Sequence, residues 1–211
     1  MRYIVLLLIF AISSLEPLTA QDFYQDDQEI KTLLGSKTKV SWFGSVDLKT
    51  TRFVKNTNLM VGGHGGVILD NRFMLALGGY GIATATGFNG LVESDELVLQ
   101  GGYGGILIGY SLLPREIVHV NFPVLIGGGG FQVYTKDDNN NFGPSFIDEL
   151  IESKGFFIVE PGVEVEVNIV RFFKIALGAS YRYIEGAKLD NVNNEELNDW
   201  SANLSFKFGK F

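Results

Sequence analysis

Apolar and polar residues alternate one by one along the segment from Val159 to Ile169. The polar members of this alternation include Glu160, Glu164, Glu166 and Asn168. Because successive side chains of a β-strand point to opposite faces, the pattern predicts a strand with one apolar and one acidic face. A soluble antiparallel sheet buries such an apolar face. A membrane-spanning barrel turns it to lipid and turns the carboxylates into the lumen.

The same alternation, interrupted by turn residues, predicts eight strands. These strands are Lys39 to Lys49, Asn58 to Leu69, Arg72 to Ala83, Glu96 to Leu112, Ile117 to Tyr134, Gly155 to Asn168, Phe173 to Glu185 and Asp199 to Phe208. The short connections are Asp70-Asn71, Pro114-Arg115-Glu116 and Val170-Arg171-Phe172, and the longer ones are Thr50 to Thr57, Thr84 to Asp95, Thr135 to Lys154 and Gly186 to Asn198. An even number of strands with short turns on one side and long loops on the other is typical of outer-membrane barrels. We therefore predict an all-β fold, an eight-stranded antiparallel up-and-down transmembrane β-barrel, over residues 38–211.

The N-terminal residues have the three parts of a secretory signal peptide. Met1-Arg2-Tyr3 is a basic start, Ile4 to Ile12 is an apolar run, and Leu18-Thr19-Ala20 is a small-residue cleavage site. The run is shorter than the ~20 apolar residues that a membrane-spanning helix needs. We predict a signal peptide over residues 1–20 and an acidic periplasmic lead-in, or a short plug, over residues 21–37.

Composition narrows the classes of partner and chemistry. The chain contains no cysteine, which excludes a lipoprotein anchor at residue 21, disulfides and thiolate catalysis. Its formal net charge of −7 argues against nucleic acid as a partner, because phosphate binding needs a basic surface. Hydrophobic residues make up 46% of the chain without a second long apolar run, as expected for alternating strands that hydropathy windows do not detect.

The last predicted strand ends close to the terminal residue Phe211. An aromatic residue after an alternating strand resembles the C-terminal signal of outer-membrane barrels, which implies insertion by the barrel-assembly machinery. Phe211 is out of phase with Phe206 and Phe208, however, so we expect a bulge or a frayed end between them.

Four glycine-rich patches recur within the predicted strands. They are Gly62-Gly63-His64-Gly65-Gly66, Gly78-Gly79-Tyr80-Gly81, Gly101-Gly102-Tyr103-Gly104-Gly105 and Gly127-Gly128-Gly129-Gly130. They lack the lysine and the strand-turn-helix setting of a phosphate-binding loop. We expect them to relieve crowding in a narrow barrel, with tyrosines of neighbouring strands covering them.

The segment from Val40 through Ala83, above all the run LMVGGHGGVILDNRFMLALGGYGI, resembles the small glycine-rich outer-membrane barrels of Bacteroidota-type Gram-negative bacteria. The likeness extends loosely over the rest of the mature chain. It implies a fold and a location, and no reaction.

A charge network is predicted for the lumen. If Val170-Arg171-Phe172 is a turn, Glu160 faces Arg182 across two strands, and Lys174 faces Asn168 with Glu166 diagonal to it. Buried carboxylates without partners cost several kcal/mol each, so we predict a network of opposite charges. Its members are Glu160, Glu164, Glu166, Lys174 and Arg182. The alternative, Glu164 and Glu166 as an acid/base pair, has no nucleophile or histidine nearby in sequence.

No cofactor and no metal site is predicted. His64 and His119 lie on different strands without a carboxylate motif, so wall histidines with hydrogen-bond partners are favoured over zinc ligands. The run from Asp137 to Asn141 lacks the spacing of an EF-hand and predicts a solvated loop, with weak calcium binding as the alternative. Ser145 is a candidate cap for a short helix through Asp148.

These features predict an outer-membrane protein with a structural or surface-interaction role through its extracellular loops, without catalysis and with a lumen filled by side chains. The expected partners are outer-membrane lipid and, during insertion, the barrel-assembly machinery. The sequence indicates no surface partner. One alternative is an outer-membrane lipid-modifying enzyme, which needs a serine, a histidine and a carboxylate in one patch. The other is a secreted lipocalin-like carrier of an apolar ligand, whose carboxylates Glu160, Glu164 and Glu166 face water.

Overall fold

A computed structural model describes residues 38–53, 56–83, 86–89, 96–135, 150–187 and 197–211. These residues form nine strands: β1 (Val40–Phe53), β2 (Asn56–Leu69), β3 (Phe73–Ile82), β4 (Thr86–Asn89), β5 (Glu96–Leu112), β6 (Val118–Thr135), β7 (Leu150–Val170), β8 (Phe173–Glu185) and β9 (Asp199–Gly209). The predicted signal peptide, the lead-in, the loop from Asp137 to Asn141 and the helix at Ser145 lie outside the described residues.

The strands close into an antiparallel barrel. β1 pairs with both β2 and β9, and the remaining neighbours pair in sequence around the wall. β3 and β4 both pair with β5, β3 through Phe73 to Gly81 and β4 through Thr86 to Asn89, so together they make one wall position. The wall therefore has eight positions, and the predicted eight-stranded antiparallel barrel is confirmed.

Three predicted loops contain additional strand. The predicted loop from Thr50 to Thr57 is wrong, because β1 extends to Phe53, β2 begins at Asn56, and Phe53 pairs with Asn56. β4 lies within the segment predicted as the loop from Thr84 to Asp95, and β7 begins at Leu150, inside the predicted loop from Thr135 to Lys154. In each place the neighbouring strand continues and offers its backbone groups for pairing, as between Val133 and Glu152. Backbone pairing thus extends these strands beyond the sequence segments in which apolar residues alternate.

The three short connections adopt tight turns. At the first, Asp70 and Asn71 both have positive φ angles, 50° and 60°, and the backbone N–H of Arg72 donates to the carbonyl of Leu69 at 2.9 Å. Two left-handed central residues match the twist of a hairpin, and Asp and Asn tolerate that conformation well. The prediction of short turns on one side of the barrel is confirmed; we call this the turn end and the opposite side the loop end.

The outward side of the wall is an apolar belt. Exposed apolar residues occur all around it, including Leu177, which is 66% exposed, and Val165, which is 45% exposed. Among the outward wall positions whose side chains are described, charges occur only toward the two ends, at Arg52 and Glu185 on one side and beside the turns on the other. Ten residues separate Phe173 from Tyr183 on β8, or about 25 Å along the barrel axis for a tilted strand. Exposed aromatic residues flank the belt at both ends: Tyr181, Tyr183 and Trp200 near the loop end, and Trp42, Phe73, Phe172 and Phe208 near the turn end.

At the C terminus, the bulge that was one of the two expected alternatives is absent, and Lys210 and Phe211 lie beyond the end of β9. β9 pairs without a bulge as far as Gly209, opposite Phe43 of β1. Phe211 falls on the lumen side, packs against the buried core and lies with its ring centroid 4.2 Å from Nζ of Lys174. Phe211 is out of phase with Phe206 and Phe208 because its side chain lies at the turn end of the lumen, and no interruption of the strand is needed.

The glycine patches lie side by side on β2, β3, β5 and β6. Gly79 pairs with both Gly63 and Gly104, and Gly104 pairs with Gly128. On the lumen side, aromatic side chains cover glycines of neighbouring strands: a Cβ at Gly62 would lie 2.5 Å from Cδ1 of Tyr80. At Gly62, Gly66, Gly105 and Gly127 a Cβ would come within 3.0 Å of backbone atoms of a neighbouring strand, so the wall has no room there for a further side chain.

We expect Gly127→Ala to lower the free energy of unfolding by about 1–3 kcal/mol, the usual cost of overpacking. A Cβ at Gly127 would overlap the carbonyl oxygen of Gly104 and lie 2.6 Å from Cα of Gly105, and backbone atoms cannot give way as a flexible side chain can. The matched control is Gly44→Ala, because a Cβ at Gly44 meets no atom within 4 Å. Urea titrations in detergent measure both variants. Equal stability of the two would contradict this account of the glycines.

Candidate functional site

The lumen contains equal numbers of buried acids and bases. Four carboxylates and four cations are buried in the lumen among the described residues, and each is at most 6% exposed. They are Asp47, Glu160, Glu164 and Glu166, and Lys49, Lys174, Arg182 and Lys207. With both histidines neutral these charges sum to zero. A neutral, internally paired set is the arrangement in which buried charges are least costly.

The first group, which we call the Lys49 cluster, lies in the middle of the lumen. Nζ of Lys49 on β1 donates to both carboxylate oxygens of Glu160 on β7, at 2.8 and 2.9 Å. The hydroxyls of Tyr103 and Ser180 also donate to Glu160, at 2.8 and 2.6 Å. The ammonium group of Lys49 lies 3.6 Å from the ring centroid of Tyr80, a favourable cation–π distance. Strands from opposite sides of the barrel therefore meet at one carboxylate.

The second group, the Lys207 cluster, lies nearer the turn end. Nζ of Lys207 on β9 donates to Glu164 and to Glu166, both at 2.7 Å. Nε2 of His119 lies 2.8 Å from the other oxygen of Glu166, and Nζ of Lys174 lies 3.5 Å from that same oxygen. One lysine thus holds two carboxylates that would otherwise repel each other.

Arg182 faces Glu160 in register, as predicted, but its guanidinium extends toward the loop end and hydrogen-bonds other groups. Its guanidinium donates to the carbonyls of Leu197 and Arg52, both at 2.9 Å, and to the hydroxyl of Thr51 at 3.0 Å. The backbone register is the predicted one, because Val159 pairs with Tyr183 and Gly162 with Ser180.

The two side chains diverge from that shared register position. Glu160 is held by Lys49 from across the lumen, whereas the long side chain of Arg182 reaches toward the loop end and lies 3.9 Å from the ring centroid of Phe53. Side chains lean along a strand as well as standing out from it, so register alone does not fix their partners.

The other predicted residues lie together. Lys174 pairs in register with Asn168, and Glu166 is diagonal to it. Sequence reasoning missed Asp47, Lys49 and Lys207 as members of the network. Their strands do alternate polar and apolar residues, which marks these side chains as inward-facing. Nothing in that spacing indicates which carboxylate each lysine contacts across the lumen.

Ser45, His64 and Asp47 form the arrangement that most resembles a hydrolytic site. The hydroxyl of Ser45 and a carboxylate oxygen of Asp47 both lie 2.7 Å from Nδ1 of His64. A catalytic triad places the serine and the acid on opposite ring nitrogens, so that one orients the ring while the other exchanges a proton. Here both partners share one nitrogen, and Nε2 is buried without a hydrogen-bond partner. The group anchors the imidazole and lacks the geometry for activating Ser45.

The loop end of the lumen is closed by apolar side chains. Phe131 lies between Phe53 and Phe156, with ring centroids 5.4 and 4.6 Å apart. Other fully buried members of this layer are Met60, Leu99, Ile158, Ile184 and Leu197. Below it, a cavity of about 20 Å³ adjoins the Lys49 cluster, enough for about one water molecule. Side chains therefore leave space for only about one water molecule beside the Lys49 cluster.

Among the described residues, no three histidine, aspartate or glutamate side chains are placed to hold one metal ion. No helix in this part of the chain is long and apolar enough to cross a membrane.

Comparison with known proteins gives likenesses of structure and none of sequence. The chain matches no protein-family model and no curated protein sequence. The N-terminal β-barrel domain of OprF from Pseudomonas aeruginosa is 12% identical with a TM-score of 0.46, over 79% of this chain and 96% of that one. Neisserial surface protein A (NspA) is 13% identical with a TM-score of 0.47, over 82% and 99%. Ail of Yersinia pestis, solved with the heparin analogue sucrose octasulfate, is 12% identical with a TM-score of 0.45, over 81% and 97%. At these identities the likenesses carry no function to this chain, and the barrel is established by its own strand pairing.

Proposed function

We propose that the protein is an outer-membrane β-barrel with a structural or surface-interaction role through its extracellular loops, and without catalysis. The observation that carries the proposal is the inverted distribution of polarity. The eight lumen charges are buried and paired or hydrogen-bonded, whereas the outward wall is apolar around its circumference. Monomeric soluble proteins rarely expose contiguous apolar patches larger than a few hundred Å².

The filled lumen supports a role outside the barrel interior. Eight strands enclose a space that side chains can fill, and channels use about twice as many strands. The described lumen holds paired charges below an apolar layer, with space for about one water molecule. Surface contacts then fall to the long connections, which we place outside the cell, with the short turns in the periplasm.

The three residue types of the enzyme alternative do meet, at Ser45, His64 and Asp47, but the geometry of their contacts favours neither alternative. A soluble carrier needs its carboxylates in water and an apolar cavity of roughly 300 Å³ or more, whereas Glu160, Glu164 and Glu166 face inward around a far smaller space. A lipid-modifying enzyme needs an activated nucleophile, and Ser45 shares one nitrogen of His64 with Asp47.

Cell fractionation combined with a gel-mobility test examines the proposal. We expect the mature protein in the outer-membrane fraction, with unboiled samples migrating differently from boiled ones because a closed barrel resists detergent until it is heated. An epitope tag inserted between Asp137 and Asn141 should bind antibody on intact cells. Recovery of the protein as a freely soluble periplasmic or secreted species would overturn the placement.

A further inference from the structure

A groove of about 470 Å³ crosses the outer wall near the loop end. Its floor consists of three small side chains on adjacent strands, because Thr50 of β1 pairs with Ala202 of β9, and Ala202 pairs with Ala179 of β8. Larger apolar side chains occupy most of the belt around it. The volume lies within the range of about 300–1,000 Å³ that small-molecule sites occupy.

The groove has an aromatic side and a cationic rim. Trp200 lines it and is 64% exposed, with the ring of Tyr181 edge-on at 5.3 Å. Arg52 lies at its end, with its side chain 63% exposed and Nε 3.0 Å from a carboxylate oxygen of Asp199. Tryptophan beside arginine at the boundary of an apolar belt is the combination found where lipid headgroups meet acyl chains.

We infer that this groove binds an anionic phospholipid, with an acyl chain on Thr50, Ala202 and Ala179 and the headgroup phosphate at Arg52. The inference rests on the proposed membrane location. The inference goes beyond the membrane location because it assigns a specific site. A uniform apolar belt would bind all lipids with the same affinity, whereas this groove should prefer one class. The small side chains of the floor leave a shallow, open depression along which a chain can lie, and the guanidinium provides selectivity for an anionic headgroup.

Asp199 pairs with Arg52 and leaves hydrogen-bond donors of its guanidinium free for a phosphate. A guanidinium has five N–H donors in a fixed fork, more than one carboxylate can engage. The contact at Nε orients the fork at the rim and leaves most of the side chain exposed. A phosphate accepts two parallel hydrogen bonds from such a fork, which a lysine could not arrange in the same way.

The two tryptophans of the chain supply the experiment. The variant Trp42→Phe leaves Trp200 as the only indole, inside the groove. The protein is reconstituted in vesicles of unlabelled phosphatidylcholine that contain a fixed fraction of a lipid with brominated acyl chains. This brominated lipid is phosphatidylglycerol in one sample and phosphatidylcholine in the other. We expect brominated phosphatidylglycerol to quench Trp200 about two- to fivefold more strongly, the enrichment expected of one arginine at an anionic headgroup.

Matched variants locate the effect. Arg52→Gln should bring the quenching ratio close to one, and Asp199→Asn should raise it by freeing the guanidinium. Arg171→Gln, an exposed arginine in a turn at the opposite end, should leave the ratio at Trp200 unchanged. A heat-shifted gel band establishes that each variant is folded.

Two negative results have different meanings. If both lipids quench Trp200 equally, or if Arg52→Gln keeps the preference, the groove is not an anionic lipid site and the inference fails alone. The variant Trp200→Phe leaves Trp42 as the only indole. If both brominated lipids fail to quench Trp200 and also fail to quench Trp42, the wall does not contact lipid. The proposed membrane location then fails as well.

Discussion

Replacing Val165 with arginine is expected to lower the free energy of unfolding by about 2–4 kcal/mol, the cost of a charge on the lipid face of a barrel near the bilayer midplane. Val165 points outward from β7 and is 45% exposed. Its partners on the two neighbouring strands are Val120 and Leu177, so the new guanidinium would find no acid beside it. Urea titration of the barrel refolded into lipid vesicles measures the change.

The control lies on the same face of the same region, next to the turn. Val170 is also exposed, and it is the last residue of β7. The cost of a lipid-facing charge falls to about 0–1 kcal/mol near the interface, so Val170→Arg should be close to wild type. Equal destabilisation by the two arginines would show that the cost does not depend on depth, and the apolar belt would lose its interpretation as a lipid-facing surface.

Breaking the Lys49 cluster in the lumen should lower the free energy of unfolding by at least as much as Val165→Arg does. Removing one partner of a buried ion pair usually costs about 3–5 kcal/mol, because the remaining charge has lost its partner and cannot reach water. We expect costs of this size for Lys49→Ala and for Glu160→Ala. After Glu160→Ala, the ammonium of Lys49 keeps the hydroxyl of Tyr103 and the ring of Tyr80 as contacts.

A double-mutant cycle separates this pair from the rest of the network. Lys49→Ala combined with Glu160→Ala should cost less than the sum of the single changes, with a coupling of about 0.5–3 kcal/mol. The cycle of Glu160 with Arg182 is the control, because those two share a register position while their side chains diverge. Stronger coupling of Glu160 to Arg182 than to Lys49 would contradict the observed pairing.

The wall of the barrel could be predicted from the sequence because it depends on local rules. Alternation with a period of two assigns each residue to a face, and turn residues such as Asp70 and Asn71 fix the hairpins. The short strand β4 was missed because Gly87 and Asn89 give no alternating pattern. Pairing with the long neighbouring strand β5 makes it a strand all the same.

The contacts inside the lumen could not be predicted in the same way. Glu160 and Lys49 belong to strands that are not neighbours in the wall, and their distance depends on the curvature and tilt of the closed barrel. Phe211 shows the same limit. The sequence shows that Phe211 is out of phase with Phe206 and Phe208. Its contact with Lys174 depends on the closure of the barrel and cannot be predicted from that phase.

Spin labels along β8 test the central claim, that the outward wall contacts lipid, most directly. The chain has no cysteine, so single cysteines can be introduced without other changes, at outward-facing Ile175, Leu177 and Ala179 and at Arg171 in the turn. In vesicles, we predict that oxygen, which concentrates in bilayers, relaxes the nitroxide at residue 177 far more than a water-soluble nickel complex does, with the reverse order at residue 171. If the nickel complex reaches residue 177 as readily as residue 171, the apolar wall faces water and the account of a membrane-spanning barrel is wrong.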